Sequence, residues 1–209
     1  MRPSRRRAGW VALAVALFFL AAGGPFGCSS SKKVTRIDPE TTTDLSGRWN
    51  DTDSRIVSQE MIRDCLANPW ISQHMTETGS RPTVIVGPVR NQTLEHIATG
   101  TFVADIERAL VGSGRVDVVA TAAERVDLRA ERQDQWENAS EETIKRMGRE
   151  QGADYMLLGT VQSIEDKEKG TKVVAYQIDL TLVDIESNRK AWIGQKKIKK
   201  EISRSRYAP

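Results

Sequence analysis

From Val174 to Val183 the chain alternates with a period of two. Val174, Tyr176, Ile178, Leu180 and Leu182 take every second position, and Ala175, Gln177, Asp179, Thr181 and Val183 fill the others. Successive side chains of a strand point to opposite faces, so this run predicts a strand with one face in a core and the other largely polar. Lys169-Gly170 before it and Ser187-Asn188 after it are turn signals, which makes Asp154 to Glu165 and Ala191 to Lys199 the flanking strands of a β-meander. An antiparallel sheet with one apolar face needs further elements to cover that face.

The middle of the chain supplies them. Val57, Met61 and Cys65 recur at i+4 beside Ile62 and Leu66, which predicts a helix from Asp51 to Asn68, capped by oxygens from Asp51 to Ser54 and ended by Pro69. Thr83-Val84-Ile85-Val86 suits a central strand, stopped by Gly87-Pro88. Phe102, Ile106 and Leu110 line one face of a helix from Thr99 to Val111, which Gly112-Ser113-Gly114 closes. Val116 to Ala120 is a second short apolar run, so strand, helix, strand predicts one parallel crossover. Ala122 to Gln135 reads as a charged helix, and Asn138-Ala139-Ser140-Glu141 has capping-box spacing for another, through Ile144 and Met147 to Gly152. The expected fold class is α/β (α+β): a mixed sheet of about five strands with flanking helices, in one domain over residues 45–209.

The N-terminus carries a different signal. Arg2, Arg5, Arg6 and Arg7 precede an unbroken apolar run from Trp10 to Ala22, then Gly23-Gly24-Pro25. Residues 1–27 therefore read as a signal peptide, with Cys28 placed to accept a diacylglycerol on its thiol. Gly27 suits the position before a lipidated cysteine, whereas Pro25-Phe26 departs from the usual order. An uncleaved membrane anchor and cleavage without a lipid are the alternatives. Trp10 to Ala22 would span only about 20 Å as a helix, against the roughly 30 Å of a bilayer core. Residues 28–44, with Ser29-Ser30-Ser31 and Thr41-Thr42-Thr43, lack a hydrophobic period and read as a lipidated cysteine followed by a flexible tether.

Charge narrows the partners. Four of the 31 basic residues lie in the signal and none of the 28 acidic ones does, so the rest of the chain is close to neutral and a nucleic-acid partner loses its electrostatic support. The cluster Lys196, Lys197, Lys199, Lys200, Arg204 and Arg206 continues a strand and reads as a solvated edge. With Cys28 acylated, Cys65 has no partner for an intramolecular disulfide.

No catalytic constellation emerges. The two histidines, His74 and His96, do not form an HExxH pair, and His74 with Glu77 gives too few ligands for a metal centre. Gly112-Ser113-Gly114 follows a helix and so does not cradle a phosphate. Glu141-Glu142 fits a helix first turn. Neither metal, cofactor nor catalysis is expected. Trp49, Trp70, Trp136 and Trp192 are either core plugs or recognition residues. The loop after the first strand, with Asn91, Thr93 and Glu95, is the expected docking face, and Trp49 beside the tether a further contact.

Several stretches resemble one family: Leu45-Ser46-Gly47-Arg48-Trp49-Asn50-Asp51-Thr52-Asp53; Gly87-Pro88-Val89-Arg90-Asn91-Gln92-Thr93-Leu94-Glu95-His96-Ile97; Gly152-Ala153-Asp154-Tyr155-Met156-Leu157-Leu158-Gly159; and Tyr176 to Leu180, Val183 to Glu186 and Ala191-Trp192-Ile193-Gly194. They resemble the LpoB family of envelope lipoproteins. The resemblance implies an outer-membrane lipoprotein, facing the periplasm, that activates a bifunctional (class A) penicillin-binding protein in peptidoglycan synthesis. It also implies a domain similar to the N-terminal domain of TolB, no active-site residues, and a monomer. Ser29 after Cys28 is compatible with outer-membrane delivery. The rival reading is an envelope assembly or secretion lipoprotein related to the curli-pore proteins, which oligomerise.

Overall fold

A computed structural model describes residues 33–138 and 150–203. The signal 1–27, Cys28, the start of the tether, most of the helix expected from the Asn138 capping box, and Arg204 and Arg206 lie outside the described residues. Residues 33–39 belong to a unit of their own and carry neither helix nor strand; a second unit begins at Glu40 and contains every element below.

Helix α1 is Asp51–Ala67. Its cap is Asn50, one residue ahead of the expected group: the Asn50 side chain accepts from Asp53 N, and Asp53 Oδ2 accepts from Asn50 N, both at 3.0 Å. Pro69 ends α1 as expected but also opens a helix that the sequence reading lacked, α2, Trp70–Thr78. Proline suits a helix start because its missing N–H would have no intrahelical acceptor there. Trp70, Ile71 and His74 of α2 are buried, and Gly79 closes it in the left-handed region.

Strand β1 is Thr83–Asn91 and runs through Gly87-Pro88 where a stop was expected. Its parallel register with β3 (Tyr155–Glu168) shifts between Val86, opposite Leu157, and Val89, opposite Gly159. Gly87 and Pro88 thus face one residue in a β-bulge, where a proline costs no ladder bond. A Cβ on Gly87 would sit 2.8 Å from Leu158 Cδ2 and 3.1 Å from the Leu157 carbonyl, so the close approach requires glycine.

Helix α3, Thr99–Ser113, buries Phe102, Ile106 and Leu110. Strand β2 has shrunk to Asp117–Val118, a half-buried pair alongside Thr83 and Val84. Helix α4, Glu124–Asn138, has no buried residue. Strands β3, β4 (Thr171–Asp184) and β5 (Lys190–Ser203) have 14 residues each and form the expected meander. Lys169 and Gly170 join β3 to β4 with φ of 41° and 89°, the positive pair a two-residue hairpin requires.

The sheet order is β2-β1-β3-β4-β5, parallel on the β1 side and antiparallel through the meander, an α+β fold. The apolar row Val174 to Leu182 of β4 is fully buried with Val57, Met61, Phe102 and Ile106 of the helices. Its alternate residues, from Ala175 to Val183, are half-buried on the other face.

Edge strand β5 corrects the view of its lysines as uniformly solvated. Lys197 and Lys199 are exposed, but Lys196 and Lys200 point to the helix face, where Lys196 pairs with Glu60. On the same face Trp192 lies over Gly194, and a Cβ at Gly194 would enter the indole ring. That ring is fixed by an Nε1 bond to Asp64 Oδ2 at 2.9 Å. Gly194→Ala is therefore expected to cost about 1–3 kcal/mol through overpacking, read as a lowered urea midpoint.

Cys65 is buried in α1 and its thiol is pushed up to about 12, chiefly by that burial. The thiolate is the reactive form. Iodoacetamide at pH 8 is expected to leave the Cys65 peptide unmodified in the native protein and to alkylate it fully in urea, as read by mass spectrometry; rapid native alkylation would mean that α1 opens readily.

Candidate functional site

The structure brings Trp49, Asn91, Thr93 and Glu95 to one corner, between the end of β1 and the start of α1. The bulge delivers β1 to the loop, and Gln92 N donates to the Val161 carbonyl at 2.8 Å. Asn91 then ties the loop to itself. Its Oδ1 accepts from Thr93 N at 2.9 Å and from Thr93 Oγ1 at 2.8 Å, and its Nδ2 donates to the Glu95 carbonyl at 2.7 Å. Glu95 N donates to Thr93 Oγ1 at 3.1 Å.

The Glu95 carboxylate leaves the loop for the core. Glu95 Oε2 accepts from the Tyr176 hydroxyl at 2.8 Å and from Trp49 N at 3.3 Å, and Trp49 N also donates to the Tyr176 oxygen at 3.1 Å. Trp49 stands edge-on to Tyr176 and Phe102, with centroids 5.6 and 6.4 Å away, and donates from Nε1 to Ser54 Oγ at 2.8 Å. Burial, and then the Glu95 hydrogen bond and charge, push the Tyr176 phenol well above its ordinary value, so it stays a donor. The polar groups expected to meet a partner thus hold the corner together, and the loop tip presents Leu94.

Next to this corner, Lys200 reaches back from β5. Its Nζ donates at 2.6 Å to both Asp44 Oδ1 and Asp53 Oδ2 and at 3.0 Å to the Arg48 carbonyl. Asn50 Nδ2 donates to the Thr43 carbonyl at 2.7 Å, and Arg55 pairs with Glu40 at 2.9 Å. Residues 40–44, assigned to the tether from sequence, are therefore bonded to the domain. Sequence reasoning missed Tyr176 and Lys200. A lone phenol in an otherwise aliphatic buried row was the available sign, because a buried hydroxyl needs a partner.

The other tryptophans divide. Trp70 and Trp192 are buried, with the Trp70 Nε1 on the Cys65 carbonyl at 2.8 Å, while Trp136 is exposed on α4. His74 is buried, with Nδ1 3.2 Å from the Tyr155 hydroxyl and Nε2 3.7 Å from Asp154 Oδ2. An acid, an imidazole and a phenol in that order could suggest an activated nucleophile. Burial, and then Asp184, Asp154 and Glu77, push the Tyr155 phenol up, the opposite of activation. Asp154 instead accepts from Thr83 N at 2.8 Å, fastening β3 to β1. Among the described residues no group of three or more His, Cys, Asp or Glu side chains could hold a metal ion.

The corner is thus a hydrogen-bonded polar cluster on an α+β domain, with no metal-binding group beside it among the described residues. The sequence profile described as "Peptidoglycan-synthase activator LpoB" matches residues 53–198, and the chain belongs to the LpoB family. None of the curated proteins matches it in sequence. Among solved structures, the LpoB C-terminal domain from Salmonella enterica is similar at 14% identity, over 70% of this chain and 98% of that one, with a TM-score of 0.41. The corresponding domain from Escherichia coli gives 12% identity over 68% and 97%, with a TM-score of 0.39. The NMR structure of E. coli LpoB gives 13% over 86% and 88%, with a TM-score of 0.41. No helix of the described residues is long and apolar enough to cross a membrane.

Proposed function

We propose that this protein is an outer-membrane lipoprotein, anchored through Cys28, that binds a class A penicillin-binding protein in the periplasm and raises its rate of peptidoglycan synthesis without chemistry of its own. Membership of a family of peptidoglycan-synthase activators carries the reading. The corner of Trp49, Asn91, Thr93 and Glu95 is the docking surface, placed on a non-catalytic part of the synthase and fitting its active conformation better than its inactive one. An activation of about 5- to 150-fold needs only about 1–3 kcal/mol of such difference. In this reading residues 1–27 are removed, two or more acyl chains on residue 28 give stable mooring, and a monomer is the working unit.

Glycan polymerisation by the purified synthase, with and without the full chain in detergent, tests the reading. A rate increase together with micromolar or tighter binding supports it; neither rate change nor binding rejects it. Mass spectrometry of the mature N-terminus tests the anchor, and a large ring in detergent would favour the assembly lipoprotein instead.

A further inference from the structure

We infer that the cleft beyond the ends of β1 and β2 binds an amphiphile, a single hydrocarbon chain ended by a carboxylate, with Arg125 holding the head. The inference makes no use of the docking role given to the corner above. The chain leaves β1 through α3 to reach β2 on one side of it, and leaves β2 through α4 to reach β3 on the other. Connections that part in this way open a crevice outside the carboxyl ends of parallel strands, the usual place for a ligand in such sheets. A cavity of about 600 Å³ lies there, between β1, the start of α3 and the residues that follow β2.

The wall decides the chemistry. Ile85, Val86, Pro88, Val89, Val103 and Met156 make it apolar, and covering such a surface with hydrocarbon is favourable. A peptide would bring an amide N–H and C=O at each residue, costly to bury unpaired, whereas an unbranched chain brings none. Even the Thr121 hydroxyl on the wall is already bonded to Glu124, at 2.8 Å. Arg125 is the one charged residue of the wall among the described residues. Its Nε is buried without a hydrogen-bond partner, with Glu150 Oε2 4.0 Å away. That carboxylate is engaged elsewhere, by Arg129 at 2.8 Å on both oxygens and by Arg132 at 3.2 Å. A buried unpaired N–H calls for an acceptor, and a guanidinium matches a carboxylate with paired N–H groups. The other nearby acids do not provide it. Glu124 accepts from Thr121 N at 2.7 Å, Glu107 stands further along α3, and neither lines the cavity. Thr99 and Gly100 do line it, and the α3 cap, Ala98, brings no side-chain acceptor, so the positive end of that helix adds to the attraction for an anion.

The test uses the full chain in phosphatidylcholine nanodiscs, isotopically labelled at its methionine methyls, and follows their NMR shifts as octanoate is added. Met156 is expected to shift saturably, while Met61 in the core and Met75, exposed on α2, stay still. Hexanoate is expected to bind about tenfold more weakly, because two methylene groups are lost from the apolar wall. Octanol, with no charge for Arg125, is expected to be weaker by roughly tenfold or more. Arg125→Gln is expected to bring octanoate down to the level of octanol. Gly100→Phe adds a ring at the cavity wall, where a Cβ meets nothing within 4 Å, and is expected to abolish binding with the melting temperature unchanged. No saturable shift at Met156, equal affinities for octanol and octanoate, or a shift shared by Met75 would each overturn the inference.

Discussion

Lys200→Ala is expected to lower the unfolding free energy by about 3 kcal/mol, since removing one partner of a buried ion pair leaves the other charge uncompensated. The side chains of Lys200 and Asp53 are only 10% and 7% exposed, so water cannot replace the ammonium for Asp53. Asn50 N still donates to Asp53 Oδ2, which holds the loss near the lower end of the range for such deletions. A double-mutant cycle with Asp53→Asn, followed by urea denaturation, checks the assignment: the double variant should be less damaged than the two single losses added together. Additive losses would mean that the contact contributes nothing of its own.

The same clamp has two pH limits. Lys200, then Asn50, hold the Asp44 carboxyl below its ordinary 3.8, so its contribution is complete above that value and is lost as pH falls through the lower folded value. Burial alone would lower the Lys200 ammonium, but the hydrogen bonds to Asp44 and Asp53 outweigh it and raise the group above 10.5. Its contribution is complete below 10.5 and is lost as pH rises through the folded value. Between these limits the Asp44–Lys200 pair is fully charged.

Tyr176→Ala is expected to cost about 3–5 kcal/mol, the usual loss for deleting a large aromatic from a packed core. It also removes the donor to Glu95 and the ring against which Trp49 stands. Tyr176→Phe keeps the packing and strips only the hydroxyl, for which about 1–2 kcal/mol is expected because Trp49 N can still donate to Glu95. Urea denaturation ranks the two, and tryptophan fluorescence reports whether the surroundings of Trp49 change. Equal losses would show that the hydroxyl, and not the ring, dominates at this position.

Much of the fold is legible because it is local. The alternation in β4, the Lys169-Gly170 hairpin and the face of Phe102, Ile106 and Leu110 are each set by a dozen residues or fewer, and the structure agrees with them. The misreadings fall where one residue does two jobs. Pro69 both ends α1 and opens α2, and Gly87-Pro88 bends a strand without ending it. The corner was half legible: its residues were picked out by their place on a loop, but their tasks depend on distant groups. Glu95 meets Tyr176 from 81 positions away and Asp53 meets Lys200 from 147, distances over which pattern carries no information. The family stretches become intelligible through packing. Trp192-Ile193-Gly194 needs its glycine to seat the indole, and at Gly159 a Cβ would stand 2.5 Å from Leu180 Cδ2.

The long outer strand β5 has a consequence for crowding. It ends the sheet, so one row of its backbone donors and acceptors lacks a neighbouring strand among the described residues, an invitation to fibre-like stacking of copies. Lys197 and Lys199 are exposed along it, and two such strands brought side by side would set ammonium against ammonium. Like-charge repulsion between those lysines would oppose such stacking, the usual way an exposed sheet edge is guarded.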